Sequence, residues 1–428
     1  MTTAAAHTLT ALATDLLGGP PPVRLRAWDG SEAGPPGAPV VVLRSRRALR
    51  RLLWQPGELG LAQAYVTGDL DVEGELTAGL RAVWSAAREH GLHPPRLTAA
   101  DRARALATAV RLGAVGPPPP APAAQARPRG RLHSRSRDRA VISHHYDLSN
   151  DFYALLLDET MAYSCGYWTG EHTTPVDAQR AKLELICRKL ALVPGARLLD
   201  IGCGWGSLTL YAAEHHKAQV TAVTLSREQA EYVRGRVRDR GLSDRVDVLC
   251  RDWRDIDGAG YEAVATVEMG EHVGDALYPA FADALHHLVR PCGRVLVQQM
   301  SRGRTAPGGG PFIEAFIAPD MHMRPLGETV TLLERAGLEV RHTESLREHY
   351  ARTINAWHRT LEDRWERFVE LAGEQTARVW RLYLAGGALA FEEGRMGVDQ
   401  ILAVRPGPSG VCGPAPATGG WYDGLERR

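Results

Sequence analysis

The 428-residue sequence has no long hydrophobic run, few cysteines and almost no net charge. No stretch approaches the ~20 consecutive apolar residues that a spanning helix needs. The opening MTTAAAHTLTALATDLLGG lacks the basic start of a secretory signal, so any work on membranes is expected from the cytoplasmic side, peripherally. The six cysteines, at 165, 187, 203, 250, 292 and 412, show no CxxC spacing. That argues against a zinc site and a disulfide framework and suits a reducing cytoplasm. A formal net charge of +1 gives no global attraction to nucleic acid, so any basic patch must be local. What remains, 44% hydrophobic and 24% charged residues, describes an ordinary globular chain long enough for two or three domains.

Residues 1–112 read as a first, smaller unit. In it PVVVLRS (39–45) suits a strand and LRRLLWQP (49–56) a short helix stopped by proline. Segment 113–140 is rich in Pro and Ala and reads as a flexible linker. Its end, 127–139, holds six arginines against one aspartate. Those arginines serve either as solvating charge or as a contact for anionic phospholipid headgroups, where each contributes about 1 kcal/mol. From 141 to 405 strands and helices alternate. RLLDIGCGWG (197–206), QVTAVTLS (219–226), RVDVLCRDW (245–253), YEAVATVEM (261–269) and GRVLVQQM (293–300) read as strands. SLTLYAAEHH (207–216), REQAEYVRGRVRDRG (227–241) and YPAFADALHHLV (278–289) read as helices. This series predicts an α/β fold with a doubly wound, mostly parallel sheet. The Pro/Gly-rich tail 406–428 is expected to be disordered.

Ligands of such sheets sit at the carboxyl ends of the strands. There the first strand delivers Asp200, followed by Gly202, Cys203, Gly204 and Gly206. Three details favour S-adenosylmethionine over a dinucleotide: the acidic residue precedes the glycines, the turn is too short for a GxGxxG phosphate cradle, and VPGARLLD introduces it. The second strand ends in Thr224, Leu225, Ser226 and Gln229, where a ribose is expected. The third ends in Asp252 and Trp253, a carboxylate and a flat ring suited to adenine.

With these motifs in this order, the sequence resembles the cyclopropane-fatty-acyl-phospholipid synthase family, with the mycolic acid cyclopropane synthases as relatives. The resemblance rests on HHYDLSNDFYALLLDETMAYSCGYW (144–168), LLDIGCGWG (198–206), VTLSREQ (223–229), MGEHVG (269–274), HYARTINAW (349–357) and RVWRLYLAGGALAF (378–391), with AYVTGDLDVEGEL (64–76) similar to the accessory domain. It implies a class I methyltransferase (Rossmann-like) fold with cofactor contacts on Tyr163 and Ser164, on the glycine turn, on 224–229 and on 252–253. It also implies a homodimer that engages membranes. The alkene of an acyl chain would take the methyl group, leaving a carbocation that Tyr163, Tyr167, Trp168, Phe312, Phe316 or Tyr350 can steady through ring faces. A bound bicarbonate then takes the proton, held by positions matching Cys165, Glu271, Gln298, Tyr350 and Met300. On this reading Cys165 walls an anion site and is no nucleophile. His272 either orients Glu271 or packs.

The sequence departs from that pattern at three places. Gln298 stands where a histidine is expected, Glu268 replaces a small residue three before Glu271, and FIEAFIAPDMHMRPLGE (312–328) replaces a different segment. Glu268 with Gln298 favours a methylene-branched product over a cyclopropane, and a methylene would call for a partner reductase. Two other readings remain: a methyltransferase for a soluble metabolite, and a noncatalytic lipid-binding protein.

Overall fold

The computed structural model describes residues 4–91, 98–126, 130–132, 134, 135, 137, 149–303, 308–410, 412 and 418–425. They form two compact units. The first comprises 1–127, 311–317 and 364–389, and the second 128–310, 318–363 and 390–428.

The first unit carries a four-stranded sheet ordered β2-β1-β3-β4, with β1 Arg24–Arg26, β2 Glu32–Ala33, β3 Val40–Leu43 and β4 Leu70–Val72. Buried Asp69 accepts hydrogen bonds from Ser45 Oγ (2.7 Å), Arg47 Nε (2.9 Å), Thr67 Oγ1 (2.9 Å) and Arg51 Nε (3.2 Å). Four donors on one desolvated carboxylate pin the start of helix Arg46–Trp54 to the sheet. The boundary expected at 112 is corrected here. Arg46 Nε donates to Leu112 O, Arg50 Nε to Ala114 O, Trp54 Nε1 to Gly116 O and Arg51 Nη1 to Pro120 O. A proline-rich segment has few donors but keeps every carbonyl, and the arginine helix supplies the donors. Residues 113–126 are therefore packed rather than a free linker. The unit also draws in later residues: Arg378 Nη2 donates to Asp71 Oδ2 at 2.8 Å and Ala126 N to Ala315 O at 2.8 Å.

The second unit is built on a seven-stranded sheet ordered β10-β11-β9-β8-β5-β6-β7. Its strands are β5 Arg197–Ile201, β6 Gln219–Thr224, β7 Val246–Cys250, β8 Tyr261–Val267, β9 Val289–Ser301, β10 Glu339–Ser345 and β11 Gly397–Val404. Strands β5 to β9 are parallel, and β11 and β10 close the edge antiparallel. The chain winds outward from β5 through β6 and β7, then restarts at β8 on the other side. This switch point opens a crevice at the carboxyl ends of β5 and β8. Leu198, Val220, Ala222 and Val248 face one helical layer, and Leu199, Ile201, Val223, Val264 and Val297 the other. That burial on both faces explains why the central strands read as continuous apolar runs.

Among the elements not expected are the edge strands β10 and β11. The tail also differs from expectation. Trp421 and Leu425 are buried against Leu185 and Leu402, and Arg188 Nη1 donates to the carbonyls of Trp421 and Asp423. Two large side chains either side of a turn at Gly424 are enough to dock a segment whose composition is loop-like.

Gly206 ends the glycine turn at φ 82°, and a Cβ there would lie 2.9 Å from Val233 Cγ1, a stiff β-branched side chain. Gly206→Ala is expected to lower stability by about 2–3 kcal/mol through backbone strain and overpacking. Denaturant unfolding of the two proteins measures this, and an unchanged midpoint would contradict the assigned turn.

Candidate active site

The crevice contains a cavity lined by Met161, Tyr163, Ser164, Lys182, Asp200, Gly202, Cys203, Gly204, Trp205, Thr224, Leu225, Gln229, Asp252, Trp253, Glu268, Met269 and His272, among others. Of the twelve residues expected to contact a cofactor, eleven therefore line one space. Ser226 does not. Its Oγ accepts from Gln229 N at 3.2 Å and caps helix Arg227–Asp239, the ordinary use of a serine before a helix.

The glycine turn sits where β5 ends. Gly202 has φ 81°, and a Cβ on it would come within 2.8 Å of Met269 Cγ, so the backbone is bare on the cavity side because only glycine fits. Asp200 is buried, accepts from Thr209 Oγ1 at 2.7 Å, and burial raises its carboxyl to about 6. Thr224 Oγ1 donates to Gln229 Oε1 at 2.7 Å. That leaves Gln229 Nε2 buried on the cavity wall with no hydrogen-bond partner among the described residues. An orphaned amide donor beside a glycine cradle fits a ribose hydroxyl. Asp252 is chelated by Arg254 Nε (2.7 Å) and Nη2 (2.6 Å). Its oxygens are already engaged, so the Trp253 ring is the freer feature at that end.

The stretch AYSCGYW is stitched between two helices. On one side Lys182 Nζ donates to Ser164 Oγ at 2.8 Å, Gln179 Nε2 to Ser164 O at 2.8 Å, and Tyr167 N to Ala178 O at 2.8 Å. On the other, Thr353 Oγ1 accepts from Gly166 N (3.1 Å) and Trp168 Nε1 (3.0 Å). Cys165 is buried, with its thiol turned to the carbonyls of Gly166 (3.3 Å) and Leu346 (3.6 Å), and burial pushes its pKa well up. It is a neutral thiol and no nucleophile.

What Cys165 offers the site is its backbone N–H, which donates to Glu268 Oε1 at 2.8 Å. Gln298 Nε2 donates to the same oxygen at 2.8 Å, and Tyr350 OH donates to Oε2 at 2.6 Å. Three residues read as the walls of an anion site thus converge on a carboxylate of the chain itself. Glu268 follows β8 directly and has φ 54°, the left-handed region. Three of the five positions expected to hold bicarbonate are taken by Glu268, and a second anion there would meet the first, so bicarbonate does not fit this arrangement.

Of the six rings considered for a cation, Tyr163 lines the cavity and Tyr350 holds Glu268. Tyr167 stacks on His349 at 4.5 Å, while Trp168 lies under the Arg352 guanidinium. Phe312 and Phe316 belong to the first unit. Of the basic segment, Arg137 pairs bidentately with Asp320 and Arg135 with Asp255. Arg127, Arg129 and Arg139, like 144–148 of the HHYDLSN motif, lie outside the described residues.

Sequence reading missed Lys182, Lys189 and Gln400. Lys182 lines the cavity, and Lys189 Nζ donates to Gln400 Oε1 at 2.7 Å. A usable signal existed: two lysines seven apart lie on the buried face of helix Pro175–Lys189, where an unpaired ammonium is not tolerated.

The family description "Mycolic acid cyclopropane synthetase" matches residues 133–401. The chain is 37% identical over 412 residues to a probable fatty acid methyltransferase of Mycobacterium tuberculosis, covering 91% of this chain and 92% of that one. It is 32% identical over 402 residues to the tuberculostearic acid methyltransferase of the same organism, covering 90% and 88%. To the cyclopropane-fatty-acyl-phospholipid synthase of Escherichia coli it is 31% identical over 278 residues, covering 65% and 71%. A mycolic acid cyclopropane synthase solved with SAH and CTAB superposes with a TM-score of 0.59 at 31% identity, over 62% of this chain and 98% of that one.

Glu271 and His272 follow Glu268 on one turn and are both uncharged at neutral pH. Glu271 is buried, and neither carboxyl oxygen has a hydrogen-bond partner among the described residues. Burial first, and the Glu268 charge second, push its carboxyl up to about 8. Burial lowers His272 to about 4. The folded state therefore holds a proton on Glu271 that the unfolded chain has already lost, so stability falls as pH rises from the ordinary carboxylate range through 8. At about 1.4 kcal/mol per pKa unit this amounts to a few kcal/mol. Glu271→Gln is expected to abolish the decline, so the variant gains on the wild type between pH 6 and pH 9. Parallel thermal midpoints across that range would contradict the assignment.

Proposed function

The chain belongs to the mycolic acid cyclopropane synthetase family and is an S-adenosylmethionine-dependent methyltransferase, and from that premise we propose that it methylates the cis double bond of unsaturated acyl chains in phospholipids. The observation that carries this reading is the Glu268 carboxylate on the wall of the cofactor cavity, held by three donors. A proton on a methylated heteroatom exchanges with water unaided, whereas methylating an alkene leaves a cation on carbon whose C–H proton departs only to a base placed against it.

The cofactor supplies a methyl group on a sulfonium, an electrophile that an alkene can attack in line with the carbon–sulfur bond. The chain's residues divide the remaining work. The bare backbone at 202–204 and the free Gln229 amide hold the sugar end, and Trp253 offers a flat face. Tyr163 presents a ring to the cavity, where a π-face favours positive charge. The apolar walls Met161, Leu225 and Met269 exclude water that would quench a cation.

Two products are open to that cation. Loss of a proton from the new methyl closes a cyclopropane, and a hydride shift before that loss gives an exocyclic methylene. The methylene branch is favoured because the relatives matched along almost their whole length are named fatty acid methyltransferases, whereas the cyclopropane synthase matches over 65% of this chain. A methylene product would go on to a reductase. The enzyme would act as a homodimer, peripherally at the cytoplasmic face. Among the described residues no helix is long and apolar enough to cross a membrane. Trp54, Leu61 and Val115 stand exposed in the first unit beside an arginine-rich helix, a pairing of apolar and basic groups that suits an anionic lipid surface.

The test is expression in a host that makes oleoyl phospholipids but no modified ones, followed by mass spectrometry of the fatty acids. The expected result is a gain of one CH2 as a methylene branch. The same mass as a ring would assign the cyclopropane product, and no new lipid together with methylation of a water-soluble acceptor would overturn the lipid reading.

A further inference from the structure

We infer that Glu268 is itself the base of the reaction, a carboxylate of the chain standing where a bound anion would otherwise take the proton. The inference rests on the alkene-methylating function proposed above.

The first ground is occupancy. Cys165 N–H, Gln298 Nε2 and Tyr350 OH all end on Glu268, at 2.8, 2.8 and 2.6 Å. A carboxylate and a bicarbonate present the same pair of oxygens to donors, so a site built for one is satisfied by the other. Only one can be there.

The second is backbone strain. A residue other than glycine at φ 54° costs roughly 1–2 kcal/mol, and Glu268 is also withdrawn from bulk water. A small residue would avoid both costs. Strain of this kind persists where the surroundings over-determine it, and it gathers at reactive centres.

The third is orientation. Lys189 Nζ can only donate, so it fixes Gln400 with Oε1 inward, 2.7 Å away. Gln400 Nε2 then donates to Gln298 Oε1 at 2.8 Å, which turns Gln298 Nε2 toward Glu268. An ammonium two hydrogen bonds away thus decides that Gln298 presents a donor and not an acceptor. Such a donor favours the ionised form of Glu268.

The charged and titratable groups facing Glu268 are Lys182 from helix Pro175–Lys189, the Cys165 thiol, Tyr350 from helix Arg347–Asp363, and Glu271 on its own turn. Burial raises the Glu268 carboxyl, while Tyr350, Cys165 N–H, Gln298 and Lys182 oppose the rise. Glu271, where burial and the Glu268 charge outweigh the backbone contacts from its own N–H and Met300, keeps its proton. Two carboxyls on one turn are driven apart, one as the base and one as a neutral wall.

The step balances without a further reactant. The alkene π pair forms the new carbon–carbon bond, and the carbon–sulfur pair leaves with sulfur. For the ring, the electron pair of a C–H bond of the new methyl closes onto the cationic carbon; for the methylene, a hydride first shifts from the methyl-bearing carbon to the cation, and the pair of a methyl C–H bond then becomes the new alkene. In both cases the proton passes to Glu268, which becomes a carboxylic acid and releases it to water before the next turnover.

The purified enzyme is assayed on oleoyl phospholipid vesicles in buffer stripped of carbon dioxide, with and without added bicarbonate. Wild type is expected to turn over at the same rate in both. Activity that appears only with bicarbonate overturns the inference but keeps the function, whereas activity in neither overturns the function. Glu268→Gly suits the left-handed backbone and opens the space. It is expected to lose at least 100-fold in kcat without bicarbonate and to recover partly with bicarbonate or formate, and a wild-type rate in stripped buffer overturns the inference. Tyr350→Phe serves as a positioning test. Loss of its hydrogen bond raises the Glu268 pKa, so the acid limb of kcat should move to higher pH, and an unmoved limb overturns the assigned contact. If a variant fails to fold, the wild-type comparison decides alone.

Discussion

A carboxylate taken out of bulk water is stable only if other groups replace its hydration, and around Glu268 that requirement organises the second unit. The donors come from separate parts of the chain: the backbone of the 162–168 stretch, strand β9 and helix Arg347–Asp363. A fourth part, helix Pro175–Lys189, contributes the Lys182 charge. Their own packing already brings these parts to the end of β8, and the carboxylate joins them there. The strand ends provide the place, since the switch between β5 and β8 leaves a crevice, and the carboxylate gives the donors that line it a common acceptor.

The choice of glutamine at 298 follows from the same requirement. An imidazole there would have one donor and one acceptor on interchangeable nitrogens and would titrate near neutral pH. An amide does neither, but it can turn over and present its oxygen to Glu268, which would repel. Lys189 removes that freedom through Gln400. Burial of Lys189 is itself tolerable because Glu344 and Gln400 share its protons. An ion pair under the edge strands β10 and β11 therefore sets the polarity of the catalytic wall.

Much of this was legible in the sequence, for identifiable reasons. The central strands are buried on both faces and read as apolar runs, and the glycine turn and its flanking polar residues fall at strand ends where any ligand of such a sheet must lie. Glu268 and Gln298 stood out as odd against the pattern, yet their contact was invisible because it joins residues 30 apart through the register of β8 and β9. The edge strands were missed because β10 is half-buried and polar, without the alternation that marks a strand. The linker and tail were misjudged by composition alone. Proline-rich carbonyls bind well to an arginine helix, and two well-placed side chains dock a loop-like tail.

A tethered base differs from a diffusible one in two ways that the geometry makes concrete. A bound anion must be captured from solution before each reaction, so the rate carries its binding equilibrium. A side chain held by three hydrogen bonds is always in place, its entropy already spent in folding. Direction differs as well. A small anion can shift in its cradle and accept from whichever proton is nearest, whereas Glu268 is fixed by its backbone at one end and its donors at the other. The proton that leaves is then selected by where the acyl chain lies against a stationary oxygen. With the base fixed, the fate of the cation becomes a matter of how the lipid is seated, and the substrate walls inherit the role of choosing the product.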